Sequence, residues 1–150
     1  MRVVRIPDER VGVLIGEGGE TVDEIQDLTD AEITIEDNEV TVDCDDPLDE
    51  IRALNIVKAI GRGFSPERAL RLLEENSTLV VIDVTHFEST DNGKERLKGR
   101  VIGRNGEAKE HILGPVRKVE VAKKAVEMLL DGRSHATAYQ YLEQNKAQTL

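Results

Sequence analysis

An α+β fold built from two copies of one small module is what the sequence predicts, and three observations predict it. The first is an internal repeat. Val11-Gly-Val-Leu-Ile-Gly16-Glu-Gly-Gly19 followed by Ile25 returns as Gly99-Arg-Val-Ile102-Gly103-Arg-Asn-Gly106 followed by Ile112, at an offset of 87. Gly63-Phe-Ser65-Pro-Glu-Arg-Ala69 through Glu74 returns as Gly132-Arg-Ser134-His-Ala-Thr-Ala138 through Glu143, at an offset of 69, so the second copy is 18 residues shorter in its middle. The second observation is strict apolar/polar alternation over Ala31–Glu36 and Glu39–Asp43 around Asp37-Asn38, the pattern of a two-stranded hairpin. The third is a set of apolar stripes at helical spacing, bounded by recognisable start and stop residues.

Taken in chain order, Arg2–Ile6 reads as a strand ended by Pro7, and a helical turn leads into the first glycine loop. Thr21–Leu28 follows as a helix with Val22, Ile25 and Leu28 on one face. After the hairpin, Asp46-Pro47 opens a helix whose Ile51, Leu54, Val57 and Ile60 share a face, closed by Gly61 and Gly63. Ser65-Pro66-Glu67 combines an N-cap, a proline at the first helical position and a first-turn acid, and starts a linker helix running to about Glu75. Leu79–Phe87 reads as a strand, Asp91-Asn92-Gly93 as a turn, Val119–Leu130 as an amphipathic helix capped near Gly132, and Ala136–Gln144 as a final helix. The expected domains are 1–77, with its linker helix, and 78–150, with its C-terminal helix. The second copy lacks the counterpart of about Asp27–Cys44, which is the hairpin. Omitted chain, closed over between Leu113 and Gly114, is the favoured explanation of the deficit, because helices without their sheet would leave apolar faces uncovered.

Composition narrows the class. The 150 residues hold 20 Lys+Arg against 30 Asp+Glu, a formal charge of −10, with 33% charged and 39% hydrophobic residues. That balance fits a folded soluble chain. No apolar run approaches the roughly 18 residues of a membrane span, and no signal-peptide pattern opens the chain, so a cytoplasmic protein is expected. Cys44 is the single cysteine, which excludes an intrachain disulfide and a cysteine-based zinc site. His86 and His111 have no partner at ligand spacing, and no metal or other cofactor is expected. Gly16-Glu-Gly-Gly lacks the Lys-Ser/Thr of a nucleotide-binding P-loop, Gly103-Arg-Asn-Gly is too short for one, and no nucleophile–His–acid set is present. An enzyme is therefore not expected.

A glycine-x-x-glycine loop between helices lets a nucleic-acid backbone come close, because two Cβ atoms are missing, and the helix that follows offers amides to phosphate. Both Ile15-Gly16-Glu17-Gly18-Gly19 and Ile102-Gly103-Arg104-Asn105-Gly106 resemble the hallmark of the KH (K-homology) domain, and the element order of the first copy is that of type I. The tandem arrangement resembles the archaeal family related to the partner-of-Nob-one (Dim-two) and Krr-one ribosome-assembly factors. The residues that carry this are Lys98 through Gly106, Val57 through Ser65 and Gly132 through Glu143. The resemblance implies two type I KH domains, each a small three-stranded sheet packed by helices. It implies a non-enzymatic binder of small-subunit rRNA near its 3′ end, acting beside an rRNA-trimming endonuclease and linked with initiation factor two alpha.

Charge then separates the copies. Residues 1–77 carry 8 basic and 20 acidic groups, and residues 78–150 carry 12 and 10. The first loop is surrounded by Glu17, Glu20, Asp23 and Glu24, a poor setting for phosphate. The second is flanked by Lys94, Arg96, Lys98, Arg100, Arg104 and Lys109. The expected RNA clamp is thus Lys98, Gly99, Arg100, Ile102, Gly103, Arg104, Asn105, Gly106 and Lys109, with Ile102 and Val101 as apolar floor and packing. Gly16, Glu17, Gly18, Gly19, Lys94, Arg96, His135 and Tyr139 are secondary candidates for RNA or partner contact. Tyr139 and Tyr141 lie two apart on a helix and face different sides, and Tyr139 is favoured as the one that packs inward. The competing reading is a protein-interaction adaptor whose acidic first domain docks a basic partner.

Overall fold

The structure, a computed structural model, describes residues 1–82 and 111–145. Its contacts divide the chain into two compact units, Met1–Ser77 and Thr78–Leu150.

The first unit runs β1 (Arg2–Arg5), α1 (Asp8–Ile15), α2 (Glu20–Thr29), β2 (Glu32–Glu36), β3 (Glu39–Asp43), α3 (Pro47–Gly61) and α4 (Pro66–Ala69). The sheet is antiparallel in the order β1-β3-β2. The hairpin has the expected register, with Glu36 opposite Glu39 across Asp37-Asn38, and Asp37 takes a left-handed φ of 53° to turn the chain. Arg2, Val4, Val40, Val42, Ile33 and Ile35 lie opposite one another in register and so share a face, on which Val40 and Val42 are fully buried.

Helix α3 is the centre of this unit. Ala53, Ile56, Val57, Ala59 and Ile60 have no exposed surface, a stripe wider than the one expected, whereas Ile51 is 39% exposed. In α2 the buried positions are Thr21, Ile25 and Thr29, and Leu28 is 54% exposed. Both departures have one cause: small or polar side chains (Ala53, Ala59, Thr21, Thr29) occupy the tightest contacts, and a reading by hydrophobicity alone rotates the face away from them. The Thr29 hydroxyl is satisfied locally by donating to Ile25 O at 2.6 Å. Asp46 caps α3 by accepting from Leu48 N, and Ser65 caps α4 by accepting from Arg68 N. The linker helix is shorter than expected. It continues only as a 3₁₀ segment, Leu70–Leu73, and Glu74 is already extended.

Glu50, largely buried at the start of α3, is held by the Met1 ammonium and by Arg2 Nε at 2.8 Å. The ammonium and then the Arg2 guanidinium hold its carboxyl below the usual range. A carboxylate with a depressed folded pKa stabilises the fold above its unfolded pKa, and that contribution is lost as pH falls through the folded value. Chemical denaturation of Glu50→Gln should therefore show a deficit against wild type at pH 7 that shrinks steadily as pH drops below about 4. A deficit constant with pH would remove the ion pairs as its cause.

The second unit contains β4 (Ser77–Val81), β5 (His111–Pro115), α5 (Val116–Leu130) and α6 (His135–Gln144) among the described residues. β4 and β5 form a two-stranded sheet. Strand β5 corrects the repeat-based reading. Ile112, matched to the helical Ile25, lies in a strand, because Gly114-Pro115 cannot continue a helix and Pro115 biases the preceding residue to extended backbone. β5 runs through Leu113 and Gly114 as one element and leads straight into α5, which starts three residues earlier than expected. The α5 face is covered in part. Ala125, Val126, Leu129 and Leu130 pack with Ile82 and Ala138, and Val80, Ile112, Tyr141 and Leu142 close over them.

Candidate nucleic-acid interface

The first glycine loop is built from the end of α1 and the start of α2. Gly16 stops α1, its N–H donating to Gly12 O at 3.0 Å, at φ 76° and ψ 175°. A Cβ there would lie 2.8 Å from Thr21 N and Thr21 Cβ, so the loop folds directly onto the first turn of α2. Gly18 and Gly19 are also left-handed, at φ 63° and 85°. Gly18 has open space around it, which leaves its backbone accessible. Ile15 is 37% exposed beside the loop.

The electrostatics oppose phosphate here. Glu17, Glu20, Asp23 and Glu24 are all exposed, and neither α1 nor α2 carries a base in its last turn. Beyond the loop, the edge strand β2 is tied to α2, with Ile33 N–H donating to Gln26 Oε1 at 2.8 Å. Sequence reasoning missed this contact, and no pattern in the chain announces it. It missed Arg10 as well, whose guanidinium donates to Ile60 O at 2.7 Å and Phe64 O at 2.8 Å and so ties α1 to the C-terminal end of α3.

The expected clamp of the second copy, Lys98, Gly99, Arg100, Ile102, Gly103, Arg104, Asn105, Gly106 and Lys109, lies outside the described residues, as do Lys94 and Arg96. Among the secondary candidates, His135 opens α6 beside Ser134, which caps that helix by accepting from Thr137 N. Tyr139 is 45% exposed, with its ring centroid 6.4 Å from that of His135. The expectation that Tyr139 packs inward is reversed: buried Ala138 and half-buried Tyr141 and Leu142 form the inward stripe, and Tyr139 falls off it. No group of metal ligands occurs among the described residues, and no helix there is long and apolar enough to cross a membrane.

Comparison with known proteins accounts for this geometry. A KH domain family model matches residues 1–59, and one described as eukaryotic type KH-domain (KH-domain type I) matches residues 110–147. The chain is 39% identical over 168 residues to KH domain-containing protein MJ0443 of Methanocaldococcus jannaschii, covering 97% of this chain and 74% of that one. The chain belongs to the KH-domain proteins, and its likeness to solved Dim2p structures makes it one of the Dim2 type. It superposes on Dim2p from Pyrococcus horikoshii with a TM-score of 0.81 at 38% identity, covering 95% of this chain and 98% of that chain. It also resembles a chain of the a/eIF2alpha–aDim2p–rRNA complex from the same organism, with a TM-score of 0.83 at 38% identity, covering 98% and 94%. The 168-residue span of the alignment with MJ0443 exceeds this chain's 150 residues, so that KH protein carries residues with no counterpart here.

Proposed function

We propose that this KH protein binds single-stranded small-subunit rRNA near its 3′ end during ribosome assembly, holding it across the second glycine loop. The observation that carries the reading is the charge asymmetry of two otherwise matching loops. Glu17 and Glu20 flank the first, and Arg100, Arg104 and Lys109 flank the second. KH loops grip the backbone of about four nucleotides and leave bases to be read at their edges. Cations strengthen a backbone grip, and in the sequence they cluster around the second loop.

Its kinship with aDim2p, seen in a complex with rRNA and a/eIF2alpha, supports rRNA and the alpha subunit of initiation factor two as partners. The two units then serve as two KH domains, 1–77 and 78–150, of a binder rather than an enzyme, working in the cytoplasm. The acidic first domain limits non-specific RNA binding. It also leaves room for an adaptor role, in which that domain meets a basic face of a partner protein.

The test is fluorescence anisotropy with an oligonucleotide of the 3′ end of small-subunit rRNA. Arg104→Asp with Asn105→Asp should weaken binding on the order of a hundredfold and flatten its salt dependence. Glu17→Lys should leave binding intact or improve it. Normal binding by the double variant would move the clamp elsewhere.

A further inference from the structure

The sheet of the first unit has two edges, and they differ. On β2, Ile33 N–H is occupied by Gln26. On β1, nothing comparable is seen among the described residues. Ile6 N–H donates to Asn38 O at 3.0 Å, which fixes the alternation of the ladder. Val4 and Arg2 therefore pair with Val40 and Val42 through hydrogen bonds, and the N–H and C=O of Val3 and Arg5 face outward.

Beside this edge lies a cleft of about 350 Å³ lined by Val4, Arg5, Ile6, Pro7, Lys58, Gly61 and Arg62. Its helical wall is the last turn of α3. Lys58 and Arg62 are exposed there, four residues apart, and neither side chain bonds another described residue. Like charges at that spacing repel. Cations at a helix C-terminus can answer the helix dipole, but Arg10 already does so by donating to Ile60 O and Phe64 O. Among the described residues, then, Lys58 and Arg62 have no partner that the fold needs. Arg5 is not a third, since its guanidinium sits on Glu39 at 3.2 Å.

We propose that the β1 edge and the Lys58–Arg62 turn form a docking site for an extended acidic segment of a partner protein, which adds to the sheet as a fourth strand. Edge groups of Val3 and Arg5 supply the main-chain bonds, the mode of strand addition. Val4, Ile6 and Pro7 supply an apolar floor. Four residues of helix advance about 6 Å, close to the two-residue repeat of about 6.7 Å along a strand. Acidic side chains at alternate positions of the segment therefore match Lys58 and Arg62. An RNA strand fits less well. It brings one charge per nucleotide to a unit with 20 acidic and 8 basic residues, and it has no use for the outward carbonyls. A short peptide meets little of that long-range repulsion and uses both kinds of edge group.

The probe is a fluorescein-labelled octapeptide, Thr-Glu-Val-Glu-Thr-Glu-Val-Glu, titrated with the full chain, beside the same peptide with Lys for Glu. Saturable binding of the acidic peptide alone is expected, with slowed hydrogen exchange at the Val3 and Arg5 amides. Lys58→Glu with Arg62→Glu should weaken it at least about tenfold, and the neutral pair Lys58→Gln with Arg62→Gln should fall between. Absence of saturation up to about 1 mM, or equal binding by both double variants and wild type, would overturn the proposal. So would loss of rRNA binding in the Lys58→Glu, Arg62→Glu variant, which would make the cleft a phosphate site.

Discussion

Gly16→Ala should destabilise the first unit by about 3 kcal/mol or more, and Gly18→Ala by only about 1 kcal/mol. The two residues stand in one loop and both have positive φ, yet the costs separate for structural reasons. Gly16, at φ 76° and ψ 175°, occupies a region of backbone space essentially closed to side chains. Its Cβ would also press on Thr21 N at 2.8 Å, a backbone atom in the first turn of α2 that has no route of escape. Gly18, at φ 63° and ψ 15°, is an ordinary left-handed position with open space where a Cβ would go. Chemical denaturation combined with hydrogen exchange at the amides of α1 and α2 would read the difference. Equal costs would mean that the loop relaxes around Gly16 and that Thr21 does not fix it. The consequence for function is direct. The first glycine of the tetrad is required by packing against α2 whether or not RNA is ever bound, so an acidic loop can keep the glycine pattern with no RNA to hold.

That distinction explains what was legible in the sequence. The hairpin around Asp37-Asn38 and the helix starts at Asp46 and Ser65 were legible because each depends on a few adjacent residues acting through local chemistry. β5 was not, since His111 through Pro115 continues a motif match whose first copy is helical, and the proline that breaks the match stands at its far end. The buried faces of α2 and α3 were turned by a few positions because Thr21, Thr29, Ala53 and Ala59 carry tight contacts that hydrophobicity does not reveal. Of the candidate sites, the charge contrast between loops was plain in the sequence. The tie of β2 to Gln26, and the lack of such a tie on β1 among the described residues, were not, because Gln26, Arg10, Lys58 and Arg62 acquire their meaning only from residues 7 to 58 positions away.

Leu129→Ala should cost the second unit about 2–5 kcal/mol, enough to unfold it at moderate denaturant. Leu129 is 3% exposed within a cluster that includes Ile82, Ala125, Val126, Leu130 and Ala138. Small cores have little redundancy, and a cavity there has few neighbours able to collapse into it. The sheet against this cluster has two strands among the described residues, against three in the first unit, so Val80 and Ile112 shield it only in part. Tyr139→Ala, on the exposed side of α6, removes a larger side chain yet should cost under about 1 kcal/mol, because nothing collapses behind it. Hydrogen exchange at the amides of α5 and α6 checks both: Leu129→Ala should lose protection throughout both helices, and Tyr139→Ala should keep it. Because the proposed RNA clamp belongs to this unit, Leu129→Ala should also lose rRNA affinity at denaturant concentrations where the wild type retains it. Retained affinity alongside lost protection would mean that the second loop grips RNA without the core behind it, and would break the link drawn between this small core and the clamp.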